Sequence, residues 1–100
     1  MPSMPPPKFP LGRIVATPGA FEALQESGQA PEFFIDRHVA GDWGEVGPGD
    51  WKLNDLALKD GGRILSAYTT LKAKKLWIIT EATDDEGIRA ATTILLPEDY

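Results

Sequence analysis

The chain contains no cysteine, which excludes disulfides, thiolate catalysis and cysteine-ligated zinc or iron–sulfur centres, and which fits a reducing compartment. Histidine is almost as scarce: His38 is the only one. One imidazole beside the Asp84, Asp85, Glu86 turn forms no recognised ligand set, so no metal and no cofactor are expected. Long apolar runs are missing as well. No stretch of signal-peptide length opens the chain and none approaches the about 18 residues of a membrane span, so the expected location is the cytoplasm, without membrane contact. Cations are outnumbered, ten Lys and Arg against fifteen Asp and Glu, for a formal net charge of −5. That balance argues against broad electrostatic capture of nucleic acid. Only Lys8, Arg13 and Arg37 of the ten cations precede position 51, so a local basic patch in the C-terminal half remains open.

The residues that are present describe one ordinary globular domain. A hydrophobic fraction of 42% and a charged fraction of 25% over 100 residues give a packed core without metal or disulfide staples. Pro2, Pro5, Pro6, Pro7 and Pro10 forbid helix and favour a polyproline II leader over residues 1–10, expected to be flexible and separate from a domain at residues 11–100. Arg13-Ile14-Val15-Ala16 is a short β-prone run. Thr17-Pro18 then reads as an N-cap followed by proline at the first helical position, with Ala20, Phe21, Ala23 and Leu24 as an apolar stripe and Gly28 as the stop. A second helix is predicted from Pro31 to about Ala40, ended by Gly41. A third is capped by Asp50 or a residue just before it and runs to Asp60, with Leu53, Leu56 and Ala57 as its inward face. Between them, residues 41–50 carry four glycines and a proline and read as a loop holding Trp43.

From Arg63 the period changes to two. Ile64, Ser66, Tyr68 and Thr70 face one way and Leu65, Ala67 and Thr69 the other. Lys75 to Glu81 supply a β-branched and aromatic central strand, Asp84 to Gly87 a reversal, and Ala90 to Leu96 a last strand stopped by Pro97. The expected fold is α+β: about three N-terminal helices packed on a C-terminal antiparallel meander of three to four strands. Trp77, in the central strand, is expected to be the most buried tryptophan, and Trp43 a more exposed contact residue.

No Walker loop, dinucleotide fingerprint, nucleophile elbow or zinc signature is present. His38 is the one side chain whose unperturbed pKa suits proton transfer near neutrality, although a lone histidine on the inner edge of a helix is more often a packing residue. Arg63, Ser66, Tyr68, Thr80, Thr92 and Thr93 are polar strand residues, several of which are expected to share the solvent face of the sheet; cross-strand pairing alone also accounts for them. Trp43 and Asp42 in the glycine loop are the candidate binding residues.

The segments Arg37-His38, Gly41-Asp42-Trp43-Gly44, Asn54, Arg63 to Tyr68, Trp77 to Ala82 and Thr92 to Tyr100 carry a resemblance to a family of small uncharacterised proteins encoded on plasmids and integrative elements. The likeness runs from Leu11 to the end of the chain, with Asp84 to Ile88 as an insertion-like departure. It implies a mobile genetic element as the setting and no particular chemistry. Helices followed by an antiparallel meander are also similar in architecture to the barnase, EndoU and RelE group of small nucleases. Two functions follow. One is a non-catalytic accessory protein that binds an unknown protein partner, for instance as an acidic inhibitor of a nucleic-acid-binding protein. The other is a metal-independent ribonuclease acting on RNA, with His38 as acid or base, Arg63 holding the phosphate and Ser66, Tyr68 or Thr92 orienting it. Oligomeric state is not legible in the sequence.

Overall fold

The computed structural model describes residues 6–100; the first five positions of the expected leader lie outside the described residues. The three helices begin and end where the local chemistry places them. Thr17 is extended (φ −69, ψ 156) and its hydroxyl accepts the Ala20 N–H at 3.2 Å, with Pro18 following, so α1 spans Pro18–Ser27 and stops at Gly28, φ 69. Helix α2 (Pro31–Val39) and helix α3 (Pro48–Asp60) also open on proline. The cap of α3 is Gly47, so its first turn takes in the last residues of the expected loop.

Four strands follow the predicted runs: β1 (Arg13–Ala16), β2 (Ile64–Thr69), β3 (Lys75–Thr80) and β4 (Ala91–Leu95), with a 3-10 turn at Pro97–Asp99. They form one sheet in the order β1-β4-β3-β2. The α+β class is as expected, with two corrections. The helices lie between β1 and β2 rather than all ahead of the sheet, and the sheet is mixed, because β1 pairs in parallel with β4, Ile14 opposite Thr92. A meander accounts only for neighbours in sequence. The β1–β4 pairing joins residues nearly eighty apart, and no local pattern encodes such a partner.

Register divides the strand residues into two faces. Ile64, Ser66 and Tyr68 align with Thr80, Ile78 and Leu76, which align in turn with Thr92 and Ile94. All of these are buried, and all three helices pack on this side: Ala20, Ala23, Leu24, Phe34 and Ile35 over Tyr68, Leu76, Ile78 and Ile94, and Ala57 with Trp43 and Phe9 over Ile64. Leu65, Ala67, Trp77, Ile79, Thr93 and Leu95 line the other face, which no α-helix covers among the described residues; only the 3-10 turn reaches β3.

Helix α3 lies at the β2 edge, and here the predicted inward face is corrected. Leu53 and Leu56 are 62% and 55% exposed, whereas Asn54 and Ala57 are buried. The Asn54 amide donates to the Leu65 carbonyl (2.7 Å) and accepts the Leu65 N–H (3.1 Å), imitating a neighbouring strand. These two bonds set the helix rotation in place of the leucines, because a buried polar edge left unpaired costs more than two exposed leucines. The Trp43–Glu45 segment covers the same edge: the Ala67 N–H donates to the Trp43 carbonyl and the Glu45 N–H to the Ala67 carbonyl, at 3.1 and 2.7 Å. Gly44, at φ 74, allows this approach, since a Cβ there would run into the Ala67 carbonyl oxygen and the Tyr68 ring.

The stretch ahead of β1 also differs from expectation. Phe9 is 6% exposed, its ring edge-on to His38 with centroids 5.2 Å apart, and the Lys8 N–H donates to the Val39 carbonyl at 2.9 Å. Proline density dictates backbone conformation; it does not prevent an intervening aromatic from filling a gap in the core.

Candidate functional site

His38 lies in the last turn of α2 and points at the covered sheet face, where it is fully buried. Its Nδ1 meets the Ser66 hydroxyl and its Nε2 the Thr80 hydroxyl at 2.8 Å; Thr80 meets Thr92 at 2.7 Å, and Thr92 donates to the Leu11 carbonyl at 2.7 Å. The proton positions follow from the last bond. A carbonyl only accepts, so Thr92 spends its proton there, Thr80 must donate to Thr92, and His38 must donate from Nε2 to Thr80. Burial and the neighbouring Arg89 charge push the imidazole pKa down to about 3, so near neutral pH the ring is uncharged and Nδ1 accepts from Ser66, which uses both nitrogens. Every buried side-chain polar atom among the described residues has a hydrogen-bond partner.

The residues named for a nuclease are only partly brought together. Ser66 and Thr92 join His38, but beneath the helices rather than on the solvent face expected for these strand residues, as does Thr80. Tyr68 is buried too: its hydroxyl donates to the Asp42 carbonyl at 2.6 Å, Arg37 stacks 4.6 Å from its ring centroid, and burial raises its pKa to about 12. Arg63 stands apart from this cluster, bonded through Nη1 to the Tyr100 hydroxyl at 2.6 Å. Thr93 is on the helix-free face. Chain order alone cannot separate these positions, because alternate residues of one strand face opposite sides.

The two residues named for binding are built into the fold. Trp43 is 0% exposed, donating from its indole N–H to Asp55 Oδ1 at 3.0 Å, and Trp77 is only partly buried. The expected order of these tryptophans is reversed: the glycine loop folds inward over the core, and the central strand has one face that nothing covers with a helix. Asp42 bonds Arg37 Nε at 2.7 Å and the Gly44 N–H at 3.1 Å, and the guanidinium holds its carboxyl below the ordinary range.

Three features escaped the sequence reading. Arg89 is 4% exposed and donates to the carbonyls of Gly62, Glu81 and Ala57, tying the end of α3 to the end of β3. Tyr100 packs edge-on against Trp77, centroids 5.7 Å apart, while remaining 67% exposed. The Arg63 guanidinium lies 5.6 Å from the Tyr100 ring centroid, so an aromatic pair and a cation sit together at the helix-free face. Beside them a shallow concavity of about 180 Å³ is lined by Asp50, Leu53, Asn54, Arg63 and Leu65. The strict alternation around Trp77 is the one signal that points to this face, since Leu76 and Ile78 are on the opposite side.

No model of a known protein family, no curated protein and no solved structure matches the chain.

Proposed function

We propose that the protein is a non-catalytic protein-binding module whose contact surface is the helix-free face of the sheet. The observation that carries this reading is the location of chemistry relative to solvent. The only imidazole is buried and hydrogen-bonded at both nitrogens, whereas the helix-free face presents the partly open Trp77 indole with the exposed Tyr100 ring and the Arg63 guanidinium beside it, residue types enriched at protein interfaces. The net charge of −5 suits a partner with a cationic surface, as in inhibition of a nucleic-acid-binding protein encoded on or attacked by a mobile element.

The test pairs two variants. Trp77→Ser removes the centre of the face and Tyr100→Ser its exposed ring, and neither touches the His38 cluster. Wild type is expected to co-purify with a stoichiometric protein partner from its source cell, and each variant is expected to lose it. Mixed RNA incubated with wild type, with and without chelator, is expected to stay intact. RNA cleavage that disappears in a folded His38→Gln variant would overturn the reading in favour of the ribonuclease.

A further inference from the structure

The two edges of the sheet are treated differently. The β2 edge is occupied by Trp43–Glu45 and by the Asn54 amide. At the other edge, the N–H groups of Arg13 and Thr17 point inward to the Ala90 and Ile94 carbonyls at 3.1 and 2.9 Å. By alternation, the N–H and C=O groups of Ile14 and Ala16 point outward, and no described segment pairs with them. All four residues of β1 are exposed, Ile14 at 50% and Val15 at 37%. The strand carries no proline, bulge or lysine of the kind that blunts an open edge.

We propose that this edge pairs antiparallel with β1 of a second copy of the chain, joining two four-stranded sheets about a two-fold axis at Val15. Ile14 then exchanges both hydrogen bonds with Ala16 of the second copy, and Ala16 with its Ile14, while the two Val15 side chains meet at the axis. The ladder ends where it must. Gly12, at φ 66, turns out of the strand, and Pro18 has no N–H.

Charge selects a second copy over a foreign strand. Arg13 and Asp99 have no ion-pair partner among the described residues. Asp99 accepts the Thr17 hydroxyl at 2.6 Å and the Leu96 N–H at 3.1 Å. The register about Val15 sets Arg13 directly opposite Thr17 of the second copy, within reach of the Asp99 carboxylate bonded to it, and the two-fold forms that pair twice. An isologous contact requires such self-complementarity. The inference is independent of the binding reading, because it uses the main-chain edge and neither Trp77 nor Arg63.

Sedimentation equilibrium of the full chain, from low micromolar to submillimolar concentration, is expected to show a mass rising from 10.9 kDa to twice that value. Hydrogen exchange across the same range is expected to slow selectively at the Ile14 and Ala16 amides. Ile14→Pro removes an outward N–H without touching the β1–β4 ladder and is expected to remain monomeric with an unchanged circular dichroism spectrum. Arg13→Glu is expected to weaken association by about tenfold or more. A monomer throughout the range overturns the proposal. So does a dimer in which the wild-type Ile14 and Ala16 amides exchange as freely as in the monomer, a result that holds whether or not the proline variant folds.

Discussion

On the covered face of the sheet, Ser66, Thr80 and Thr92 stand among Ile64, Tyr68, Leu76 and Ile78, every one of them 0% exposed. On the opposite face, Ile79 and Leu95 are buried but Leu65, Ala67, Trp77 and Thr93 remain partly open to solvent. The same strands therefore bury the hydroxyls of Ser66, Thr80 and Thr92 and leave an indole partly open. Polar residues are admitted to the covered side because His38 arrives from α2 with one donor and one acceptor, completing a chain of bonds that ends on the Leu11 carbonyl. A fully satisfied network of this kind specifies how helix and sheet meet, and any missing member leaves a buried group unpaired. The helix-free side makes no such demand.

The tryptophans separate the two sides most strongly. Trp43→Ala, which empties a fully buried site and strands Asp55 without its donor, is expected to cost about 3–5 kcal/mol in urea unfolding, and Trp77→Ala about 1–2 kcal/mol. Equal losses would erase the distinction between covered and open sides. Adjacent threonines test it within a single strand. Thr92→Val leaves the Thr80 hydroxyl without an acceptor and the Leu11 carbonyl without a donor, for an expected loss of about 2–3 kcal/mol; Thr93→Val, on the open face, should stay within about 0.5 kcal/mol.

Acid probes the covered side through its histidine. The folded pKa of His38 is about 3 against an ordinary 6.5, so above pH 6.5 the group is neutral in both states and its contribution is complete. As pH falls below 6.5 the unfolded chain takes up a proton that the folded chain refuses until about pH 3, and stability declines through that window. Between pH 7 and pH 5 the loss from this group is about 2 kcal/mol. Denaturant titrations of wild type and His38→Gln at the two pH values check it, since the variant should lack this part of the slope. An identical slope in both proteins would place the titrating group elsewhere.

The helices were legible because their signals are local. Thr17-Pro18, Pro31 and Gly28 determine start and stop through bonds and torsions made within a few residues. The strands were legible through alternation, and the pairing of β2, β3 and β4 through short reversals. The faces of α3 and of β3 were misjudged for one shared reason. Leu53, Leu56 and Trp77 are apolar, but what lies opposite each is decided by elements distant in the chain, and at α3 the Asn54 bonds to Leu65 outweigh the leucine stripe.

His38 illustrates the boundary most clearly. Its identity as the only neutral-pH titrating side chain, and its place on the inner edge of a helix, follow from the sequence alone, as do the α+β class and the ends of the elements. Residues 38, 66, 80 and 92 lie on four different elements, so only tertiary structure decided that they form one closed network rather than an open cleft with Arg63. The same is true of β1: four β-prone residues are evident in the chain, but their parallel place beside β4, with one edge paired and one edge open, exists only once the helices between β1 and β2 have carried the chain back across the sheet. Backbone torsions and periodicity act over a few residues; burial and edge pairing depend on where remote segments arrive.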